Sequence, residues 1–474
     1  MSMSTTQSSA FASSGDGTWR DGKRYAWMLG LLVPLLPFVG WLLARWTGLG
    51  IFWFTGPVVV FGVIPLLDFL VGTDTTNPPD AVVQQLENDR YYRYCTYAFL
   101  PLQYASLLLS CVLWSRGHLS IAANIGLALS VGCVGGIAIA CAHELGHKLG
   151  SFERWLSKIA LAQTGYGHFL IEHNRGHHVN VATPEDPASS RFGESFYAFW
   201  PRTVSGSFRS GVKIEKQRLE KLGQSFWTLR NDVLNAWLLS VVLFAALLVV
   251  FGLRIAPYLA LQAVLGFSLL EVVNYLEHYG LLRQKGADGR YERCRPSHSW
   301  NSNQIVSNVF LYHLQRHSDH HAFPTRRYQA LRNFDDAPNL PSGYATMIVI
   351  ALFPPLWRHV MDERVLLHYG GDLSKVNVGP SRQGGSRVSA EAGLGADQPA
   401  GVRGAPTRRF RCPGCAYVYD ERAGHEREGL PAGTRWASVP ANWHCPACGV
   451  RDKADFEAVD SALAGQAAGG VVKS

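Results

Sequence analysis

The sequence predicts a mostly α-helical protein: a membrane-spanning bundle followed by a small metal-knuckle domain. Three observations lead there. Of 474 residues, 47% are apolar and only 17% charged, whereas a soluble domain carries about a quarter charged residues. The apolar residues gather in long runs before position 280, and most of nine clustered histidines follow them closely. Four of the nine cysteines form two C-x-x-C pairs near the C-terminal end. This composition excludes a single soluble globule, a disordered chain and a collagen-like chain. The net charge of +8 is modest, and Lys and Arg flank apolar runs instead of forming stripes, so no nucleic-acid partner is expected.

Six runs reach the roughly 20 residues that a bilayer crossing needs. They lie near Ala26–Trp46, Gly50–Val71, Tyr92–Trp114, Leu119–Ala142, Val233–Gly252 and Ile255–Leu276. The first is too long for a signal peptide and lacks a small-residue cleavage site, so it is expected to remain. Pro34, Pro37 and Pro65 fall inside spans, where membrane helices tolerate them. Gly132 and Gly136 have the G-x-x-x-G spacing of close helix contact. Positive charges set the expected orientation. Arg20, Lys23 and Arg24 precede the first span, Arg90 and Arg93 follow the second, and the opposite turns offer only Arg45, Arg116 and Arg254. Both termini and all histidine clusters are therefore expected on the cytoplasmic side of a multi-pass, bacterial-type inner membrane.

The clusters themselves are His143-Glu-Leu-Gly-His147, His173-Asn-Arg-Gly-His177-His178 and His317-Ser-Asp-His320-His321, with His278 alone at the end of span six. Positions i, i+3 and i+4 share a helix face, so each cluster can aim several imidazoles at one metal. Taken alone, H-E-x-x-H suggests a zinc protease with Glu144 as base, but that leaves seven histidines idle. Nine imidazoles exceed what one ion uses and suit two, with four or five each; imidazole by itself does not choose among Fe, Cu, Zn and Ni. Glu144, Glu172, Glu277, Asp186 and Asp319 adjoin the ligand histidines and are expected to accept ring N–H bonds. His168 and His313 fall outside the ligand spacing.

Residues Gly379 to Arg408 are rich in Gly, Ser, Ala and Pro and read as a flexible linker spanning about 30 Å. Beyond it, Cys412-Pro-Gly-Cys415 and Cys445-Pro-Ala-Cys448 offer four thiolates to one tetrahedral ion, Zn or Fe. Tyr417, Tyr419, Trp443 and Phe456 are expected to pack a small core around it. This segment resembles rubredoxin, a one-iron electron carrier, over Phe410–Val459, including Tyr-x-Tyr-Asp and Pro440…Trp443-His-Cys-Pro. Ala416 departs from the resemblance, since rubredoxins place Gly there.

The first 375 residues are similar to the integral-membrane alkane monooxygenases, part of a histidine-cluster group that also contains the membrane desaturases. The resemblance rests on His143-Glu-Leu-Gly-His147-Lys, Gly167-His-Phe-Leu-Ile-Glu-His173-Asn-Arg-Gly-His177-His178, Thr183-Pro-Glu-Asp-Pro-Ala, Asn274-Tyr-Leu-Glu-His278-Tyr-Gly and Leu314-Gln-Arg-His317-Ser-Asp-His320-His321-Ala. None of the nine histidines departs from it. It implies a six-helix transmembrane bundle with a cytoplasmic, helical, histidine-rich cap, plus a rubredoxin-like knuckle domain. The implied boundaries are 1–378 for the membrane hydroxylase, 379–408 for the linker, 409–460 for the rubredoxin and 461–474 for a disordered tail.

The implied cofactors are two non-haem irons held by the nine histidines and one iron held by Cys412, Cys415, Cys445 and Cys448. The implied reaction converts alkane, O₂, two electrons and two protons to primary alcohol and water. An unactivated C–H bond yields to no acid, base or nucleophile, so metal-activated O₂ is required. A fatty-acyl or lipid desaturase is the rival that would use the same clusters. No G-x-G-x-x-G fingerprint follows a strand, so a separate NAD(P)H-dependent flavin reductase is expected to load the rubredoxin. Residues 410–460 carry eight acids and six Lys or Arg, while the loop expected at Pro201–Arg230 carries seven Lys or Arg against two Glu. Opposite signs would steer docking there, and the same loop would suit anionic membrane lipid.

Overall fold

The computed structural model describes residues 19–379, 408–415 and 417–459. The interior of the expected linker, position 416 and the expected tail lie outside these residues. Six helices are long and apolar enough to cross a membrane: Ala26–Thr47, Gly50–Val71, Arg90–Ser115, Ile121–Gly146, Asp232–Phe251 and Leu253–His278. The chain is a multi-pass membrane protein.

The first two spans are the irregular ones, and proline is the reason. Span one opens as a 3₁₀ segment, Ala26–Leu35, that contains Pro34, and turns α-helical at Leu36–Thr47. Span two carries a π turn, Val59–Val63, immediately before the helix that holds Pro65 near its start. A proline removes an intrahelical donor, and local 3₁₀ or π geometry re-satisfies the carbonyls it frees. Spans three, four and five start on side-chain caps. Asp89 accepts from Tyr91 N, Ser120 from Ala123 N, and Asn231 from Val233 N and Leu234 N.

Span four is the centre of the bundle, with 83% of its most apolar stretch buried. Gly132 and Gly136 let span six approach it. A methyl group on either would fall 2.8 Å from a side-chain carbon of Leu265 or Leu269. Both spans run further than hydropathy implies, to Gly146 and His278 instead of Ala142 and Leu276. Their last turns carry histidine and glutamate that are buried by protein and not by lipid, so a transfer-based reading stops too early.

The segment Pro201–Arg230, expected as a loop, is mostly the helix Phe196–Lys221, started by Ser195 accepting from Ala198 N. Phe199, Thr203, Ser207, Gly211 and Glu215 make its buried face at a strict four-residue spacing. Four of these five are small or polar, which hides the amphipathic period.

The C-terminal unit has three short antiparallel strands, β1 (Arg409–Arg411), β2 (Val418–Asp420) and β3 (Glu457–Val459), in the order β2-β1-β3. Phe410 pairs with Tyr419 on one side and Ala458 on the other. Tyr419, Trp443 and Phe456 are buried as expected, and Tyr417 packs partly buried against them. Phe410 and Leu430 complete the core, with Trp436 stacked on Phe410 at 4.4 Å between ring centroids.

Candidate metal centre

All nine clustered histidines converge, in two groups. His143, His147, His173, His178 and His320 form one, and His177, His278, His317 and His321 the other, with ligand atoms within 4.8 Å of one another in each group. His278, alone in sequence, is thereby a full member of the second group. Span four supplies His143 and His147, span six supplies His278, and the short helix His317–Ala322 serves both groups.

The split of the second cluster depends on a π turn, His173–His177. The wider turn brings residues five apart to one side, so His173 Nε2 and His178 Nε2 stand 3.1 Å apart while His177 turns to the other group. Such turns recur at functional sites. On the His317 helix the ordinary period operates: His317 Nε2 and His321 Nε2 lie 2.8 Å apart, and His320 Nε2 reaches His178 Nε2 at 3.0 Å. His278 Nε2 is 3.2 Å from His317 Nε2.

These separations fit metal ligation. Imidazole nitrogens about 2 Å from a common ion and roughly at right angles lie about 3 Å from each other. The buried Nε2 atoms of His143, His147 and His177 have no hydrogen-bond partner, which is what a ligand atom leaves behind without its ion. Burial holds the imidazoles of His147, His173, His178, His317, His320 and His321 well below their ordinary range. They stay neutral, the form that binds metal.

Of the five expected carboxylates, two touch the rings. Asp186 Oδ2 accepts from His177 Nδ1 at 2.9 Å and is itself held by the Ser189 hydroxyl at 2.6 Å. Glu277 Oε2 lies 3.2 Å from His317 Nε2, on the ligand side of that ring. The other three differ from expectation. Glu144 pairs with Lys148 at 3.0 Å, Asp319 with Arg326 at 2.5 Å, and Glu172 with the Ser210 hydroxyl. Lys148 and Arg326 satisfy their carboxylates, whereas Glu172 Oε1 is buried without a hydrogen-bond partner.

Three other residues support the site; Arg316 and Asn274 lie within the quoted motifs and His298 outside them. The His298 carbonyl accepts from His278 Nδ1 at 3.3 Å. Arg316, fully buried, donates to the carbonyls of Leu331, Asp74 and Thr76, fixing the start of the His317 helix. Asn274 donates to Glu271 Oε2 at 3.2 Å beside the centre. His168 and His313 stay outside both groups; His313 Nδ1 donates to the Tyr328 carbonyl at 2.9 Å.

An apolar cavity runs between spans two, four and six. Val60, Ile64, Ile137, Ala140, Leu269 and Val273 line its walls, and His143, His173, Glu277 and His317 line its inner end. It therefore meets both histidine groups. The four cysteines form a third group. Cys412 Sγ is 3.8 Å from Cys448 Sγ and Cys415 Sγ 3.5 Å from Cys445 Sγ. Sulfurs about 2.3 Å from a tetrahedral ion lie about 3.8 Å apart, so this group also fits its metal.

Comparison with known proteins agrees with this geometry. Residues 120–351 match the family model for fatty acid desaturases, and residues 409–456 match that for rubredoxins. An alkane 1-monooxygenase of Acinetobacter baylyi is 49% identical over 377 residues, covering 79% of this chain and 92% of the relative. The chain belongs to the alkane 1-monooxygenase family. A second member, from Ectopseudomonas oleovorans, is 50% identical over 363 residues, 76% of this chain and 90% of its own. A xylene/toluene monooxygenase hydroxylase component of Pseudomonas putida is 26% identical over 233 residues, 49% of this chain and 62% of its own. Within that family the two histidine groups are a di-iron centre and the cysteine group a rubredoxin iron site.

Proposed function

We propose that this chain is a membrane di-iron monooxygenase that hydroxylates the terminal methyl of alkanes to primary alcohols, using O₂ and electrons from its own rubredoxin unit. The observation that carries this reading is the apolar cavity that ends at both histidine groups. Much of its wall belongs to membrane spans two, four and six, so hydrocarbon dissolved in the bilayer reaches the centre without crossing water.

Two irons, when bound, supply the reductive activation of O₂ that an unactivated C–H bond demands. His143, His147, His173, His178 and His320 would hold one, and His177, His278, His317 and His321 the other. Asp186 fixes the tautomer and tilt of His177 by accepting its Nδ1 proton, and the His298 carbonyl does the same for His278. The apolar walls hold the chain end-on, so that its terminal methyl and not a methylene faces the histidines. They also exclude water, which protects the reactive stage from side reactions. Cys412, Cys415, Cys445 and Cys448 would hold the third iron. Gly449 brings that unit against the π turn, where a methyl group in its place would fall 2.7 Å from the Asn174 carbonyl and 3.7 Å from His178 Cβ.

The reading includes a separate NAD(P)H-dependent flavin reductase and both termini on the cytoplasmic side, as the Lys and Arg flanks support. The same division into hydroxylase, linker and rubredoxin, at 378 and 408, follows from it. The deciding experiment incubates the membrane protein with a series of n-alkanes, NADH and a rubredoxin reductase, with product analysis and iron counting. Primary alcohol and three irons per chain are expected. Alkene, or zinc in place of iron, would overturn the proposal.

A further inference from the structure

The cysteine unit turns one of its two knuckles towards the membrane part and the other away from it. Cys445 and Cys448 are 1% and 2% exposed. Between them, Pro446 and Ala447 share a crevice with Lys148, Arg154, Asn174 and Arg175 of the membrane part, and Gly449 touches the π turn as described. Ion pairs Glu428–Arg175, Arg427–Asp232 and Asp455–Arg293 surround this contact. Among the described residues the other knuckle stays outside that contact. Pro413 is exposed, Gly414 half-exposed, and Cys415 is the one cysteine of the four that is more than marginally open to solvent.

We propose that the docked unit is a two-ended relay: a one-electron flavoprotein donor docks on the Pro413–Cys415 knuckle while the Cys445–Cys448 knuckle stays seated on the histidine centre. This rests on the monooxygenase reading above. Each passage oxidises the donor flavin by one electron and takes the cysteine site from ferric to ferrous. The site returns to ferric as the histidine centre gains that electron. Two passages, with two protons from water, match the two electrons that one O₂ consumes in forming alcohol and water. A shuttle that presented a single knuckle to both partners would have to break three ion pairs and the Gly449 contact at every passage. The accessible second edge removes that requirement.

The test locks the unit in place. A methyl group on Gly429 would lie 3.2 Å from Lys221 Cβ, within a few tenths of an ångström of the roughly 3.5–4.5 Å of a disulfide. The full-length, iron-loaded K221C/G429C chain is oxidised to close the bridge. Bleaching of its ferric-thiolate band by NADH and a purified flavin rubredoxin reductase is then followed by stopped flow. The relay expects a bleaching rate within about twofold of the same variant with its bridge open. A tenfold or greater drop on locking would overturn it. If the bridge fails to form, R175K joined to Glu428 by carbodiimide gives an independent lock read in the same way. P413W is the complementary variant. It should slow bleaching several-fold through a weaker encounter, and an unchanged rate would place the donor elsewhere and overturn the proposal. The locked chain, pre-reduced with dithionite and then given alkane and O₂, separates the two readings. No alcohol with unchanged bleaching would count against the hydroxylase reading while supporting the donor face.

Discussion

The histidine centre and the cysteine knuckle both gather metal ligands, and they do so in opposite ways. The cysteine ligands come from two tight turns, Cys412–Cys415 and Cys445–Cys448, around one small aromatic core. The histidine ligands come from two membrane spans, a π turn and a short helix, spread from His143 to His321. One site stands near solvent with Cys415 half-exposed; the other is sealed, with His177, His278 and His321 fully buried. The difference follows from what each handles. A carrier must be reached by a partner protein, whereas O₂ activation beside a hydrocarbon must be shielded from water. It teaches that local ligand sets tolerate separate folding, while dispersed ones tie metal binding to the whole bundle.

The largest expected effect separates the two sites outright. His278→Ala should abolish alcohol formation and deplete the membrane irons, while the ferric-thiolate band stays intact and the protein still inserts. Wild-type hydroxylation by that variant would remove His278 from the centre. Cys448→Ser should do the reverse, removing the carrier and sparing the membrane irons. Its activity should return when free rubredoxin is added, and full activity without added carrier would show that the electrons take another route. Asp186→Asn tests whether the shell around the histidines matters as much as the ligands. A loss of about 10–100-fold in iron affinity or turnover is expected, read by metal titration and rate; less than twofold in both would make Asp186 a packing residue. The smallest effect concerns the joint between the two regions. Its ion pairs are partly solvent-exposed and worth about 1 kcal/mol at most. Internal electron transfer measured in single turnover should therefore slow only a few-fold as salt rises through about 0.2 M. A drop of two orders of magnitude would mean that charge, and not the Gly449 contact, holds the unit in place.

The joint keeps the expected surface but not the expected ion pairs. Charge counting pointed to the basic stretch Pro201–Arg230 as the docking surface. The helix of that stretch does line the joint, with Ile214, Gln217, Arg218 and Lys221 in a crevice shared with Glu428 and Trp443, but the ion pairs there run from Arg175, Asp232 and Arg293. The stretch is helical, and its basic residues point in several directions, so net charge per segment is a poor guide to ion pairs. The carboxylates teach a similar lesson. Glu144 and Asp319 each sit one residue from a ligand histidine yet serve Lys148 and Arg326, because side chains of neighbouring residues leave a helix in different directions.

The sequence by itself determined the six spans, the nine converging histidines and the cysteine unit, because hydropathy runs and i, i+4 or C-x-x-C spacings are written within one segment. Only the tertiary structure decided the partition of those histidines. It sends His173 and His178 to one group and His177 to the other through a π turn, a departure from the ordinary helical period that no residue type announces. It also decided that His278 belongs with His317 and His321, and that the cavity between spans two, four and six ends at both groups. The last two are relations between segments well separated in the chain. They are set by how the spans pack, as where Gly132 and Gly136 admit Leu265 and Leu269, and packing depends on the shapes of both partners at once.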